Sequence, residues 1–336
     1  MLTISALKEE LTSPKHILIT THFNPDGDAL GSSLGLYLWL QSKGHQVTVV
    51  VPSEFPDFLS WMPAQEHILV YPKDPQTADS LIAKADFLFC LDFNHLSRIN
   101  AMENAVRNAP GKKIMIDHHL APEGFEDLAH WDSHAAATAQ LVYDFIVNRM
   151  DDRQHISPEI AACLYTGIMT DTGSFRFRST TAEVHLIVAD LITLGAPNSK
   201  IHEKVYNSAT EVRLRFLGYC LLNCLVVVPE YNTAYFLIRK EDVNRFDIMP
   251  GDTEGLVNYA LSISGMRLAA LFIDRSELIK ISLRSIDEIP ANEICSKYFN
   301  GGGHLNAAGG SSTASMEEVE RSFRSILPLY KDYLIE

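Results

Sequence analysis

Through the first half of this chain, short uninterrupted apolar runs alternate with stretches of helical length, and this most constrains what it can fold into. HILIT from His16, QVTVVV from Gln46, DFLFCLDF from Asp86 and KKIMID from Lys112 are apolar almost throughout. Strands of that kind bury both faces, as parallel strands do when crossover helices cover the sheet on each side. ALGSSLGLYLWLQSKG from Ala29 reads as a helix closed by Gly44, and AAATAQLVYDFIVNRM and SPEIAACLYTGIMT as two more. The last is opened by Ser157 as cap and Pro158 at its first position. The expectation is an α/β fold, a doubly wound, mostly parallel sheet. From residue 183 the pattern becomes helical and connective, in EVHLIVADLITLG, SKIHEKVYN and ATEVRLRFLGYC. LVVVP, TAYFLIR, MRLAALFID and LIKISLRS then follow as alternating strands of a smaller α+β domain. The expected division is a catalytic domain over 1–185, a helical connector over 186–215 and a second domain over 216–336.

Composition narrows the function. A chain of 336 residues is long enough for two domains, and 46% hydrophobic with 21% charged residues is ordinary for a globular protein. The net charge of −14 disfavours long nucleic acid, because non-specific grip on DNA or RNA needs a basic surface that releases counterions. A short phosphate-bearing substrate stays open, since a few basic residues or bound cations can meet it. The first residues carry neither a basic nor an apolar leader pattern, and no apolar run approaches the roughly 20 residues that span a bilayer. A cytoplasmic protein without membrane attachment is expected. The five cysteines are odd in number and lie in apolar segments; Cys220 and Cys224, one helical turn apart, read as core residues.

THFNPDGDALGSS, from Thr21, leaves a strand and opens a helix, so its side chains belong at the carboxyl end of the sheet, where open α/β folds bind ligands. It holds His22, Asp26 and Asp28, and its Gly27 and Gly31 are expected to let the backbone turn tightly and approach a ligand. A bland alternative is a turn that merely caps the helix. Against it stand Asp92, followed by Asn94 and His95, then Asp117, His118 and His119, and Asp171 in TDTGSF, all ending elements on one sheet edge. Carboxylate plus imidazole without cysteine suits Mn²⁺, with Mg²⁺, Co²⁺ or Fe²⁺ also open. So many acids in one place require cations to neutralise them. In the second half Gly301, Gly302 and Gly303 precede His304, and Gly309 and Gly310 follow; a glycine-rich turn can cradle an anion on its N–H groups, with His304 and Arg284 adding charge-assisted bonds. Weaker candidates are Arg176 and Arg178, alternating on a strand face beside Asp171, and His202 and Tyr206 near the site. His130 and His134 read as structural or surface residues, and His45 as solvent-exposed.

HFNPDGDA, LDFN, DHH and TDTGSF, in that order, resemble the four motifs of the DHH phosphoesterases, and ISLRS followed by NGGGHLNAAGG resembles the DHHA1 domain. A compact chain with both parts is similar to the bacterial oligoribonuclease and 3′-phosphoadenosine-5′-phosphate phosphatase (nanoRNase) group. The resemblance implies two divalent cations, Mn²⁺ foremost, in an active site at the cleft between the domains. His22 and Asp26 would bind one ion, Asp28, His118 and Asp171 the other, and Asp92 both. Asp117 would orient a neighbouring imidazole, and His119 would face the scissile phosphate, so that Asp92, Asp117 and His119 carry the catalytic roles. Arg284, Gly302, Gly303 and His304 would bind substrate. The implied substrates are short oligoribonucleotides, linear dinucleotides and 3′-phosphoadenosine 5′-phosphate, and the resemblance leaves room for a homodimer. A cyclic-dinucleotide or pyrophosphate hydrolase of the same superfamily is the alternative, and a non-catalytic nucleotide-binding module the rival of a different class.

Overall fold

The computed structural model describes residues 2–248, 251–253 and 255–335. The chain divides into two compact units, Met1–Ser208 and Ala209–Glu336.

The first unit is built on six strands: β1 (His16–Thr21), β2 (Gln46–Val51), β3 (Ile68–Val70), β4 (Phe87–Leu91), β5 (Lys112–Asp117) and β6 (Leu128–Trp131). They lie in the order β3-β2-β1-β4-β5-β6, and every neighbouring pair is parallel. Side chains alternate between two cores. Ile17, Ile19, Phe89, Ile114 and Ile116 face one, and Leu18, Leu88 and Cys90 face the other. The sheet is therefore doubly wound, and the direction of winding reverses between β1 and β4. Chain leaving those two strands diverges to opposite sides, which opens a crevice at their carboxyl ends.

Two helices over one face decide where that crevice gets its ligands. The helix Gly27–Ser42 is capped by Asp26, whose side chain accepts from the N–H groups of Asp28 and Ala29. The helix Pro158–Asp171 is capped by Ser157. Gly27, Gly31 and Gly35 form a side-chain-free stripe at four-residue spacing against Thr170, Gly167 and Leu164 of the second helix. A Cβ on Gly31 would lie 2.6 Å from the Cys163 carbonyl oxygen and 2.8 Å from the Gly167 nitrogen. The helices run antiparallel with backbones almost touching, so the start of one, with Asp28, meets the end of the other, with Asp171. Gly27 and Gly31 thus sit inside a helix and serve helix packing rather than the tight turn expected from sequence.

The second unit carries β7 (Leu225–Val228), β8 (Thr233–Ile238), β9 (Leu268–Asp274), β10 (Ile279–Ser285), β11 (Gly302–His304) and β12 (Ala307–Ser312). Their order is β11-β12-β10-β9-β8-β7, antiparallel except for the parallel pair β8 and β9. The helices Ala291–Tyr298 and Met316–Ile326 cover one face, where Ile294 and Phe323 meet Tyr235, Phe272 and Ile281. The helix Glu211–Asn223 covers the other, with Phe216, Cys220 and Cys224 against Ala234 and Phe236. All five cysteines are buried thiols.

Three local expectations change. The stretch 135–150 holds a shorter α-helix, Thr138–Asp144, followed by a wider π-type turn over Phe145–Arg149. The GGGH segment is an edge strand of a hairpin with β12 rather than a loop. His45 is buried, at 6% exposure, rather than solvent-facing. Among the described residues no helix is long and apolar enough to cross a membrane.

Candidate metal centre

His22 follows β1, Asp92 follows β4, and Asp117, His118 and His119 close β5, so the acids and imidazoles gather at the crevice beside the reversal of winding. Asp28 and Asp171 arrive on the two packed helices. Asp171 is the last residue of its helix rather than part of the loop after it.

Asp92 stands between two sets of donors. Its Oδ2 lies 3.3 Å from His22 Nε2, which is 4.0 Å from Asp26 Oδ1. Its Oδ1 lies 3.6 Å from His118 Nε2, which is 3.5 Å from Asp171 Oδ2 and 4.0 Å from Asp28 Oδ2. Donor atoms of His22, Asp26 and Asp92 fall within 4.8 Å of one another, and so do those of Asp28, Asp92 and His118. These separations lie at or beyond the outer limit of an N–H···O hydrogen bond. They fit donors sharing an ion, because two ligands about 2.1 Å from one cation at right angles lie about 3 Å apart.

The imidazoles are aimed by the backbone. His22 Nδ1 is 2.9 Å from the Phe23 carbonyl and His118 Nδ1 is 3.0 Å from that of Ala135. A ring that donates from Nδ1 keeps Nε2 as its lone-pair side, the tautomer a metal needs. His119 differs: its Nδ1 meets Asp117 Oδ1 at 2.7 Å, and its backbone N–H donates to Asp117 Oδ2 at 3.2 Å. Asp117 therefore clamps His119 at two points. Asp28 accepts from the amides of Thr138 and Ala139 at 2.6 and 2.8 Å, and the Thr138 hydroxyl donates to Asp92 Oδ1 at 2.9 Å. Thr138 escaped the sequence reading; its only trace is the small-residue run before a helix.

The electrostatics ask for positive charge. Burial, followed by Asp92, Asp171 and Asp26, pushes the Asp28 carboxyl well above the usual carboxylate range. Burial would also raise Asp92, but His22, His119 and His118 prevail and hold it well below that range. Burial opposes protonation of His22 and His118, yet the facing carboxylates raise both. The facing carboxylates thus raise imidazole pKa values that burial alone would lower, and a set of oxygen and nitrogen donors without sulfur is of the kind that can hold a hard or borderline divalent cation.

The turn after Asp171 is held by an aromatic clamp. Gly173, Ser174 and Phe175 all take left-handed backbone, with φ of 57°, 63° and 62°. The Ser174 N–H donates to the Met169 carbonyl at 2.8 Å. The Phe175 ring sits 5.8 Å from that of Tyr165, 6.1 Å from His185 and 6.4 Å from His202. His202 also lies 3.1 Å from the Tyr165 hydroxyl, with the Tyr206 ring 5.8 Å away and tilted by 40°. Arg176 and Arg178 occupy exposed turns, not a strand, and Arg176 Nε donates to the Gly173 carbonyl. His130 pairs with Asp144 at 3.1 Å and His134 is an exposed surface residue.

In the second unit, Arg284 on β10 pairs with Ala307 on β12, which pairs with His304 on β11. Directly opposed residues share a face, so Arg284 and His304 point to the same side of the sheet, two strands apart. Gly303, beside them, has φ of 138°, and a Cβ there would lie 2.5 Å from the Ala307 carbonyl oxygen.

Residues 16–168 match the profile of the DHH family, N-terminal domain, and residues 232–334 that of the DHHA1 domain. The bifunctional oligoribonuclease and PAP phosphatase of Thermus thermophilus is 31% identical over 95% of this chain and 90% of its own length. The chain belongs to the DHH family. Its fold matches the crystal structure of an exopolyphosphatase-related protein from Bacteroides fragilis with a TM-score of 0.95, at 44% identity over 99% of this chain and 97% of that one. RecJ of Thermus thermophilus, crystallised with Mn²⁺, shares the DHH fold at a TM-score of 0.56, with 14% identity over 98% of this chain and 54% of that one.

Proposed function

We propose that this DHH-family phosphoesterase hydrolyses short oligoribonucleotides and linear dinucleotides to mononucleotides, and 3′-phosphoadenosine 5′-phosphate to AMP. The observation that carries a two-cation reading is Asp92, whose two oxygens face separate groups of histidine and carboxylate. His22 and Asp26 would hold one ion, Asp28, His118 and Asp171 the other, and Asp92 both. Bound there, divalent cations polarise the phosphoryl oxygens and make water a nucleophile near neutral pH.

The chain's own residues do the rest. Backbone carbonyls aim the His22 and His118 rings, and amides at the start of the helix Thr138–Asp144 hold Asp28. Asp117 fixes His119 so that its Nε2 side is presented outward, toward where the scissile phosphate would lie. With both ring nitrogens protonated, Nδ1–H on Asp117 and Nε2–H outward, it can donate there to the charge that develops in the transition state. Arg284, Gly302, Gly303 and His304 would bind the substrate's remaining phosphate or base. The nucleotide reading draws on the Thermus relative, whose name states those two activities.

The deciding experiment is a substrate panel with Mn²⁺: linear diribonucleotides, 3′-phosphoadenosine 5′-phosphate, a cyclic dinucleotide, pyrophosphate and short polyphosphate. Turnover of the first two is expected. Turnover of pyrophosphate or polyphosphate without the nucleotides would overturn the reading.

A further inference from the structure

The residues assigned so far in the first domain hold cations and face a phosphate; none holds a nucleobase. Trp131 fits that task. It ends the edge strand β6 and is paired in register with Asp117, so its side chain stands on the same carboxyl edge as the metal-binding residues. The indole Nε1 donates to the backbone carbonyl of His119 at 2.7 Å. That bond uses the ring's single polar group and pins the indole beside the residue proposed to face the scissile phosphate. What remains available is the π surface, and 41% of the residue is exposed, whereas Trp39 is only 3% exposed inside the core. Leu120, next to His119 and 48% exposed, extends the same apolar rim.

We propose that Trp131 is a stacking platform for a nucleobase next to the scissile phosphate. This rests on the reading of the site as a hydrolase of short RNA. A base lies one sugar away from its phosphate, so a phosphate held before His119 puts a base within reach of a ring anchored to that residue's carbonyl. Stacking on an aromatic face accepts every base, because every base has a π face. It therefore suits a substrate defined by length rather than sequence. It also supplies affinity without positive charge, in a chain whose net charge is −14.

The test compares Trp131→Ala and Trp131→Phe with wild type, loaded with Mn²⁺, on a diribonucleotide and on its two abasic counterparts, each lacking one base. In Trp131→Ala, KM for the intact dinucleotide should rise roughly 5- to 150-fold, with kcat changing much less. Trp131→Phe loses the indole N–H but keeps a ring, and should recover most of that loss. The ratio of KM between variant and wild type should shrink for one abasic substrate and persist for the other. Tryptophan fluorescence gives a readout independent of turnover. A diribonucleotide with a methylphosphonate linkage should quench wild type, and the quench should vanish in Trp131→Phe. An unchanged KM in Trp131→Ala, equal losses in the Ala and Phe variants, or a quench that survives in Trp131→Phe would each overturn the stacking role while leaving the nuclease reading intact. Wild type that turns over no diribonucleotide would overturn both.

Discussion

The Asp92 carboxylate sits on left-handed backbone, with φ of 64°, a conformation that costs a non-glycine residue about 1–3 kcal/mol. Its N–H bond to the Ile116 carbonyl and the Thr138 hydroxyl on Oδ1 hold it there, with its two oxygens toward different histidines. Asp92→Ala should therefore abolish turnover and lower the bound metal, since neither ion keeps its shared ligand. His119→Ala should lower kcat while leaving metal stoichiometry near that of wild type; native mass spectrometry separates the two outcomes, and loss of an ion from the His119 variant would make His119 a ligand. A second residue-scale effect lies far from the site. Both ring nitrogens of the buried His45 lack a hydrogen-bond partner, and burial, with Lys15 and Lys43 nearby, lowers its pKa. The unfolded chain thus takes up a proton below pH about 6.5 that the native ring resists, so stability falls as the pH drops through that region. Urea midpoints of His45→Leu should show a flatter pH dependence than wild type between pH about 7 and 5.

At the scale of elements, the helix pair Gly27–Ser42 and Pro158–Asp171 sets the distance between Asp28 and Asp171. Gly31→Ala would raise helix propensity, worth about 1 kcal/mol if the site were exposed. Here the new methyl meets backbone at 2.6 Å, and backbone cannot rotate away. The helices must part, at a cost typical of overpacking, about 1–3 kcal/mol. We expect a lower Tm, read by circular dichroism, together with weaker Mn²⁺ binding, because Asp171 moves with its helix. A Tm at or above that of wild type would show that the pair has slack. The aromatic clamp on Phe175 belongs to the same scale, tying the three left-handed residues after Asp171 to the neighbouring helices Ala182–Thr193 and Asn198–Tyr206.

Across the whole molecule, the first unit would carry the chemistry and the second would grip the part of the substrate away from the scissile phosphate. Arg284→Ala and His304→Ala should each lower kcat/KM for diribonucleotides and 3′-phosphoadenosine 5′-phosphate by about one to two decades, the loss of a charge-assisted contact worth roughly 1.5–3 kcal/mol. Bis(p-nitrophenyl) phosphate has no further phosphate to hold, so its hydrolysis should change far less. Parallel kinetics on both substrates at saturating Mn²⁺ check this; equal losses on both would mean that the second domain shapes the catalytic centre itself.

The strands β1, β2, β4 and β5 were legible in the sequence as runs of contiguous apolar residues, a local property, and β7 to β10 as alternating ones, whereas the short edge strands β3 and β6 and the glycine-containing β12 were not. Also legible were the cap Ser157 and the order of the motifs that carry the family. The identities of the acids and imidazoles were likewise on view, and the carboxyl ends of β1, β4 and β5 followed from the strands themselves. The edge strand made by GGGH was not, because glycines carry no side chain to pattern and their pairing with Ala307–Gly309 is a tertiary fact. The stripe Gly27, Gly31 and Gly35 reads equally well as a turn until the facing helix is in place. Which oxygen of Asp92 faces which histidine, and that Thr138 serves both Asp28 and Asp92, involve residues up to 110 positions apart. The burial of His45 likewise depends on what packs around it. Periodicity and capping report what a residue does within its own element. Distances between elements are set by sheet order and helix packing, so the orientation of every donor in this site was decided only when the chain had folded.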